Sequence, residues 1–492
     1  MMCAPTTEAS PSPDRSYGKV AVKSSGWSFL GSISKQASQF LVSLILARYL
    51  SPESFGLIGM VTLATGLALT VSEMGLGSAI IQKENATDVD AHSLFWFNLA
   101  LGIAMALGLV LLSPLIAFFF HKPELTSLVT GASPVLLFGA ISVIPAALMR
   151  KALRFRALTL IDIFCSVFSG GVAITMAVCG MGVWSLVAQA LLLSLSNALL
   201  VYLCSGYQAR AILSIEAACG FLPFSLNLLG FNLVNYVSRN VDYLLIGKFL
   251  GPTPLGLYTL AYKIMLVPLQ NISWALGNAL FPVFSKFSQD NVRLLTNYTK
   301  VIVFISAISF PGMAFVHAYA IQLITLCFNE KWLPAADVLR VLAICGMIQS
   351  VFSPCSLILL STGRSDLQFR IGVHGVIGTI ISVALGLQYG MVGVAYAYTI
   401  FNAFWFVSIS RTMAQLLKCR ISSFLTPLAS SFLGFCVILF LANVINQFGC
   451  LNQTGKALVV SLCVPIVSGL LLFKNKILIY KNRRIRFHKN EQ

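Results

Sequence analysis

The chain has 492 residues, of which 57% are hydrophobic and only 10% charged, where soluble domains carry about 25% charge. So few charges cannot clothe several water-soluble cores, so lipid must solvate most of the surface; collagen, coiled coil, disorder and a water-soluble enzyme are excluded. The formal charge of +17 then becomes a question of which side of the membrane holds the cations.

Residues 1–22 are rich in Pro, Ser and Thr without an apolar stretch, and read as a polar tail rather than a cleaved signal peptide. Windows of about 20 apolar residues then predict about 14 membrane helices. Their centres lie near Ala37, Leu69, Ala104, Phe138, Phe168, Leu192, Val234, Leu269, Ser306, Gly346, Thr379, Phe401, Phe435 and Cys463. The segments around Phe138 and Gly346 are the least regular, because they carry Pro134, Pro145 and Pro354. Nothing between the spans is long enough to fold as a domain. The 12 cysteines lie mostly in apolar segments without CxxC or CxxH spacing, and are expected to be free thiols.

With the N-terminus on the cytoplasmic side, 24 of the 33 Lys and Arg residues fall in cytoplasmic segments and six on the far side; Lys35, Arg239 and Lys263 lie within spans. Cationic loops are retained in the cytoplasm, so this asymmetry predicts an even number of spans with both termini inside. It also accounts for the excess charge as topology and removes nucleic acid as a partner.

The sequence repeats. LARYLSPESFGL, from Leu46, matches IGKFLGPTPLGL, from Ile246: at an offset of 200, Leu50, Pro52, Gly56 and Leu57 recur as Leu250, Pro252, Gly256 and Leu257, and Arg48 becomes Lys248. LIAFFF at Leu115 matches LITLCF at Leu323, offset 208; Arg150, Leu153, Phe155 and Arg156 match Arg364, Leu367, Phe369 and Arg370, offset 214. Six spans per repeat is an even number, so the copies lie the same way round, related by a pseudo-twofold axis along the membrane normal. The expected fold is an all-α polytopic membrane protein: a six-helix lobe over 23–208, a second over 209–415, two additional helices over 416–474 and a basic cytoplasmic tail over 475–492.

Ionisable groups inside a bilayer cost at least ~2.5–3.5 kcal/mol each and usually face a cavity or a partner. Lys35 and Gln39 share a face of the first span with Ser28, Ser32 and Ser43. In the seventh span Asn235, Arg239 and Asp242 do the same, with Lys35 aligned to Asn235 and Gln39 to Arg239; the eighth adds Lys263, Gln270 and Asn278. Two such stripes facing each other would form a hydrophilic lumen whose positive sign favours an anion. Arg239 and Asp242 are equally consistent with a structural pair, and Lys263 with snorkelling. Glu73 and Asp242 are candidates for ion coupling, with H+ or Na+ as the ion, although a solvated helix end explains Glu73 as well; Asp162 reads as a solvated acid at the start of its span. The five histidines are too dispersed for a metal site, and the absence of a GxxxxGK[ST] loop leaves no nucleotide hydrolysis, so no cofactor is expected.

The runs LARYLSPESFGLIGMV, EMGLGSAIIQK, SLFWFNLALGI, RNVDYLLIGKFLGPTPLGLYTLAYKI, LFPVFSKFSQD and FNEKWLPAADVLRVLAICG together resemble the bacterial polysaccharide flippases. These are the Wzx-like branch of the multidrug, oligosaccharidyl-lipid and polysaccharide exporter superfamily, within it the colanic-acid and teichuronic-acid exporter subgroup. The likeness spans nearly everything between the two tails. It implies two six-helix bundles around a V-shaped cavity lined by the first, second, seventh and eighth helices. It also implies flipping of an undecaprenyl-pyrophosphate-linked oligosaccharide across the bacterial inner membrane, for exopolysaccharide, capsule or lipopolysaccharide O-antigen. The partners would be that substrate, membrane lipids and, in the export pathway, a polysaccharide polymerase. The family supplies no residue signature for the site. The alternative from the same superfamily is a cation-coupled multidrug antiporter, which would favour buried carboxylates over buried cations.

Overall fold

The computed structural model describes residues 31, 34–83, 87–212, 214–274, 284–287, 290–447 and 453–489; for some of these, including Asn227, Trp274 and 475–489, only the backbone is described. On the division expected from the repeat, the first lobe comprises α1 (34–49), α2 (Pro52–Glu73), α3 (Leu76–Gln82), α4 (Asp88–Phe120), α5 (Glu124–Ala132), α6 (Pro134–Lys151), α7 (Phe155–Val178) and α8 (Trp184–Ser205). The second comprises α9 (Ile215–Phe249), α10 (Pro252–Pro268), α11 (Asn291–Ala318), α12 (Ala320–Cys327), α13 (Ala335–Phe352), α14 (Cys355–Ser361), α15 (Ser365–Gly386) and α16 (Gly390–Leu416). Two further helices, α17 (Ser422–Gln447) and α18 (Gln453–Lys489), pack on α11 and on each other.

Every expected span centre lies in a helix, or for Leu269 in the π-helical turn Leu269–Trp274 that continues α10. Ten runs among the described residues are long and apolar enough to cross a membrane, and one of them, Asp366–Leu416, holds both α15 and α16. Large apolar side chains such as Leu111, Leu115, Phe118, Phe404 and Phe440 stand exposed on the outside, as lipid solvation requires. This is an all-α, multi-pass membrane protein.

Local chemistry starts and stops these helices. The Ser51 hydroxyl accepts from the Ser54 amide and Pro52 occupies the first turn of α2, while Thr87 and Asp90 cap α4 reciprocally. Pro252 starts α10 as Pro52 starts α2. The two irregular segments occupy equivalent places: α5 and α6 meet at Pro134, and α13 and α14 at Pro354.

The turns after those segments correct the register of the repeat. Amides of Ala152, Leu153 and Arg154 donate to the carbonyls of Leu148, Arg150 and Met149; those of Thr362, Gly363 and Arg364 donate to Ile358, Leu360 and Leu359. Leu153 and Gly363 both take left-handed φ, +55° and +71°. The structural offset here is therefore 210, so Arg154 matches Arg364. The offset of 214 aligned similar basic clusters across a turn whose backbone pattern, not its side chains, is repeated.

The connector between the lobes is tied to the first. His92 Nδ1 and the Tyr207 hydroxyl share a 2.9 Å hydrogen bond, the Trp96 indole donates to the Arg210 carbonyl at 2.8 Å, and the Ser214 amide donates to Ser93 Oγ at 2.9 Å.

Candidate substrate cavity and its seal

The two lobes meet most closely where α2 crosses α10. A Cβ placed on Gly56 would lie 1.8 Å from the Pro252 carbonyl oxygen, and one on Gly256 would lie 1.9 Å from that of Pro52. Only glycine permits this approach, and the contact is reciprocal at the repeat offset of 200, the arrangement that twofold symmetry imposes on a self-complementary surface.

Hydrogen bonds around the crossing follow the same symmetry. Arg48 Nε donates to the Cys327 carbonyl and its Nη2 to that of Leu326, both at 3.2 Å. Lys248, the repeat mate of Arg48, donates to the carbonyl of Phe119 and lies 3.4 Å from His121 Nδ1. Phe119 and Cys327 are themselves 208 apart, so each lobe sends one cation to the carbonyl-rich end of the equivalent helix in the other, where the helix dipole favours positive charge. The second lobe adds two donors to the carbonyls at the end of α1: the buried Trp332 indole donates to the Ala47 carbonyl at 2.8 Å, and the Asn329 side-chain amide donates to that of Arg48 at 2.6 Å. Phe55 meets the Trp332 ring edge-on at 5.1 Å. We refer to this cluster of contacts, at the N-terminal ends of α2 and α10, as the seal.

Below that seal, polar groups lie on helix faces turned toward protein, with Lys35, Gln39, Asn235 and Arg239 accessible and the Ser43 hydroxyl buried. On α1, Lys35, Gln39 and Ser43 share the side of buried Val42, Leu46 and Leu50, opposite exposed Leu41, Ile45 and Arg48. That side packs on α7, where Val42 meets Gly170. On α9, accessible Asn235 and Arg239 share the side of buried Asp242 and Ile246, away from exposed Val237 and Leu244. In the continuation of α10, half-buried Gln270 follows exposed Lys263 and Val267 at spacings of seven and three residues. Lys263 is exposed, and its ammonium sits 5.9 Å from the centre of the Phe55 ring on α2, just under the seal. Glu73 is likewise enclosed and accessible at the far end of α2, within the electrostatic reach of Arg150.

Three expectations change. Lys35 does not face Arg239 directly: its ammonium donates to Asp162 Oδ1 at 3.1 Å, and Asn197 Nδ2 donates to the same oxygen at 3.2 Å, within the first lobe. Asp162 is therefore a paired acid rather than a merely solvated one; nothing in its local sequence reveals partners 127 and 35 residues away. Asp242 is buried, accepting from the Tyr258 hydroxyl at 3.2 Å and the Tyr243 amide at 2.9 Å, whereas Arg239, one turn earlier, is accessible. Asn278 lies outside the described residues.

Around Asp242 is a buried polar network that sequence reading missed. Tyr258 and Tyr262 stack at 5.9 Å, the Tyr262 and Tyr398 hydroxyls lie 3.4 Å apart, and Gln349 Nε2 reaches Tyr398 at 2.9 Å and Asn402 Oδ1 at 3.1 Å. Four helices, α9, α10, α13 and α16, contribute. Tyrosines and amides in apolar runs read as core, and only their convergence on one carboxyl sets them apart.

The family model for polysaccharide biosynthesis proteins matches residues 45–337. The teichuronic acid biosynthesis protein TuaB of Bacillus subtilis (strain 168) is 29% identical over 372 residues, 75% of this chain and 77% of its own. The lipopolysaccharide biosynthesis protein WzxC of Escherichia coli (strain K12) is 28% identical over 384, 76% of each. Among solved structures, an inward closed conformation of the lipid II flippase MurJ superposes with a TM-score of 0.72 at 16% identity, covering 94% of this chain and 99% of that one, which is a likeness of fold. With more than half its length matched by the family model, the chain belongs to the polysaccharide biosynthesis protein family.

Proposed function

We propose that this protein is a flippase, a secondary carrier rather than an enzyme, that moves an undecaprenyl-pyrophosphate-linked oligosaccharide across the bacterial inner membrane for surface polysaccharide assembly. The observation that carries the reading is the set of accessible cations, Lys35, Arg239 and Lys263, on protein-facing sides of α1, α9 and α10 beneath a seal between the lobes. Charge-assisted hydrogen bonds to a pyrophosphate are strong where water is scarce. The glycan would share the polar space with Gln39, Asn235, Gln270 and Asn278, while the polyprenyl chain stays in lipid. The asymmetric distribution of Lys and Arg supports cytoplasmic termini, which would put the seal on the far side and open the cavity in this state to the cytoplasm, where such a substrate is made.

Transport then requires the seal to open and the other end to close, which is alternating access. Asp242 is our candidate for coupling to H+ or Na+: its buried carboxyl accepts from the Tyr258 hydroxyl and stands among tyrosine hydroxyls and amides able to share in holding an ion. Glu73 is a second candidate. The family match favours this reading over a multidrug antiporter, and the cations on the accessible faces agree with an anionic substrate.

The test is the double substitution Lys35→Ala with Arg239→Ala in a host that carries the pathway. Export of the polysaccharide should be abolished while membrane insertion is unchanged; normal surface polysaccharide would remove the anion-binding cavity from the account.

A further inference from the structure

The Lys35–Asp162 contact is an unusual use of two charges inside a membrane protein. Both side chains are about one-third to two-fifths accessible, 40% and 34%, and an ion pair that wet stabilises little, yet charges on helices as apolar as α1 and α7 are costly. The cost is not recovered as fold stability, so the pair is kept for something else. Its geometry suggests what. Lys35 has three N–H donors and spends one on Asp162. Asp162 Oδ1 is held independently by Asn197, from α8, so the carboxylate keeps its place when the ammonium leaves.

We infer that Asp162 is an internal counter-ion for Lys35, held by Asn197, that yields the ammonium to an incoming pyrophosphate and takes it back on release. This rests on the reading of Lys35 as an anion-binding residue and adds to it a competitor built into the lobe. Asp162 is a positioning residue: it acts on substrate through Lys35. Its carboxylate keeps anion affinity moderate, which a carrier needs in order to let go, and an empty cavity is left with its lysine neutralised.

The opposite signs of two substitutions test this. Inorganic pyrophosphate is titrated into the purified full-length protein in lipid nanodiscs. Asp162→Asn removes the competitor and should tighten binding by roughly fivefold or more, the scale of one ion pair plus relief of like-charge repulsion, while slowing export. Asn197→Asp adds a second carboxylate beside Lys35 and should weaken binding by a similar factor. Lys35→Ala should weaken binding, and Asp162→Asn on that background should gain nothing.

A structural role for Asp162 would not tighten binding, so unchanged or weaker binding in Asp162→Asn, with Lys35→Ala still weakening it, overturns the counter-ion and leaves the cationic cavity standing. Should Asp162→Asn fail to insert, Asn197→Asp alone decides: unchanged affinity overturns the inference. Wild-type protein that binds no pyrophosphate, or Lys35→Ala that binds it normally, removes the anion-binding role itself.

Discussion

The seal and the polar interior were built from the same duplication and have diverged to different degrees. At the seal the repeat is intact: Pro52 and Pro252 start equivalent helices, Gly56 and Gly256 make reciprocal contacts, and Arg48 and Lys248 reach equivalent carbonyls. About two to four turns deeper, the mates differ. Asp242 stands where the first lobe has Val42, Asn235 where it has Lys35, and Lys263 where it has Leu63. A close backbone crossing has few solutions, and symmetry solves both halves at once. The polar interior has no such constraint, so one lobe carries a partly accessible ion pair and the other a buried carboxyl.

The largest effect should come from the crossing. Gly56→Leu and Gly256→Leu each force the helices apart, and overpacking of ~1–3 kcal/mol corresponds to a loss of the sealed state of about fivefold to over a hundredfold. Export should fall severely and by similar factors in the two variants, read by polysaccharide release and by thiol labelling of a cysteine placed at Val267. A large effect in only one would break the symmetry argument.

Next comes the interior. Asp242→Asn should abolish accumulation driven by an ion gradient while leaving exchange of substrate across reconstituted membranes largely intact; its mate Val42→Ala should weaken packing against Gly170 without touching coupling. Coupling that survives Asp242→Asn transfers the role elsewhere, Glu73 first.

The smallest effects should come from Arg48→Ala and Lys248→Ala. Each removes hydrogen bonds to carbonyls on a wet rim, worth about 0.5–1.5 kcal/mol, and should shift the balance between sealed and open states by a few-fold, equally for both, in the same thiol-labelling experiment.

Much of this was legible in the sequence. Spans of about 20 apolar residues leave a local signal, and the LARYLSPESFGL repeat announces the crossing because its prolines and glycines are backbone requirements. Lys35, Arg239 and Lys263 stand out because charge is expensive in lipid. What stayed hidden is pairing. That Lys35 meets Asp162 and Asn197, that Arg48 spends its donors on backbone carbonyls, and that Tyr258, Tyr398 and Gln349 converge near Asp242 are all facts of helix packing with no local trace. The register of the repeat near Arg154 was obscured for a related reason: the backbone turn is repeated while its basic side chains have drifted.

On the mechanism we propose, the end closed by the α2–α10 crossing must open in every transport cycle. Arg48→Cys, joined to the native Cys327 by a short cleavable bis-thiol reagent, would hold that end shut. Export should stop on cross-linking and return on cleavage, with Cys327 alone giving no effect; full export by quantitatively cross-linked protein would contradict alternating access through this seal.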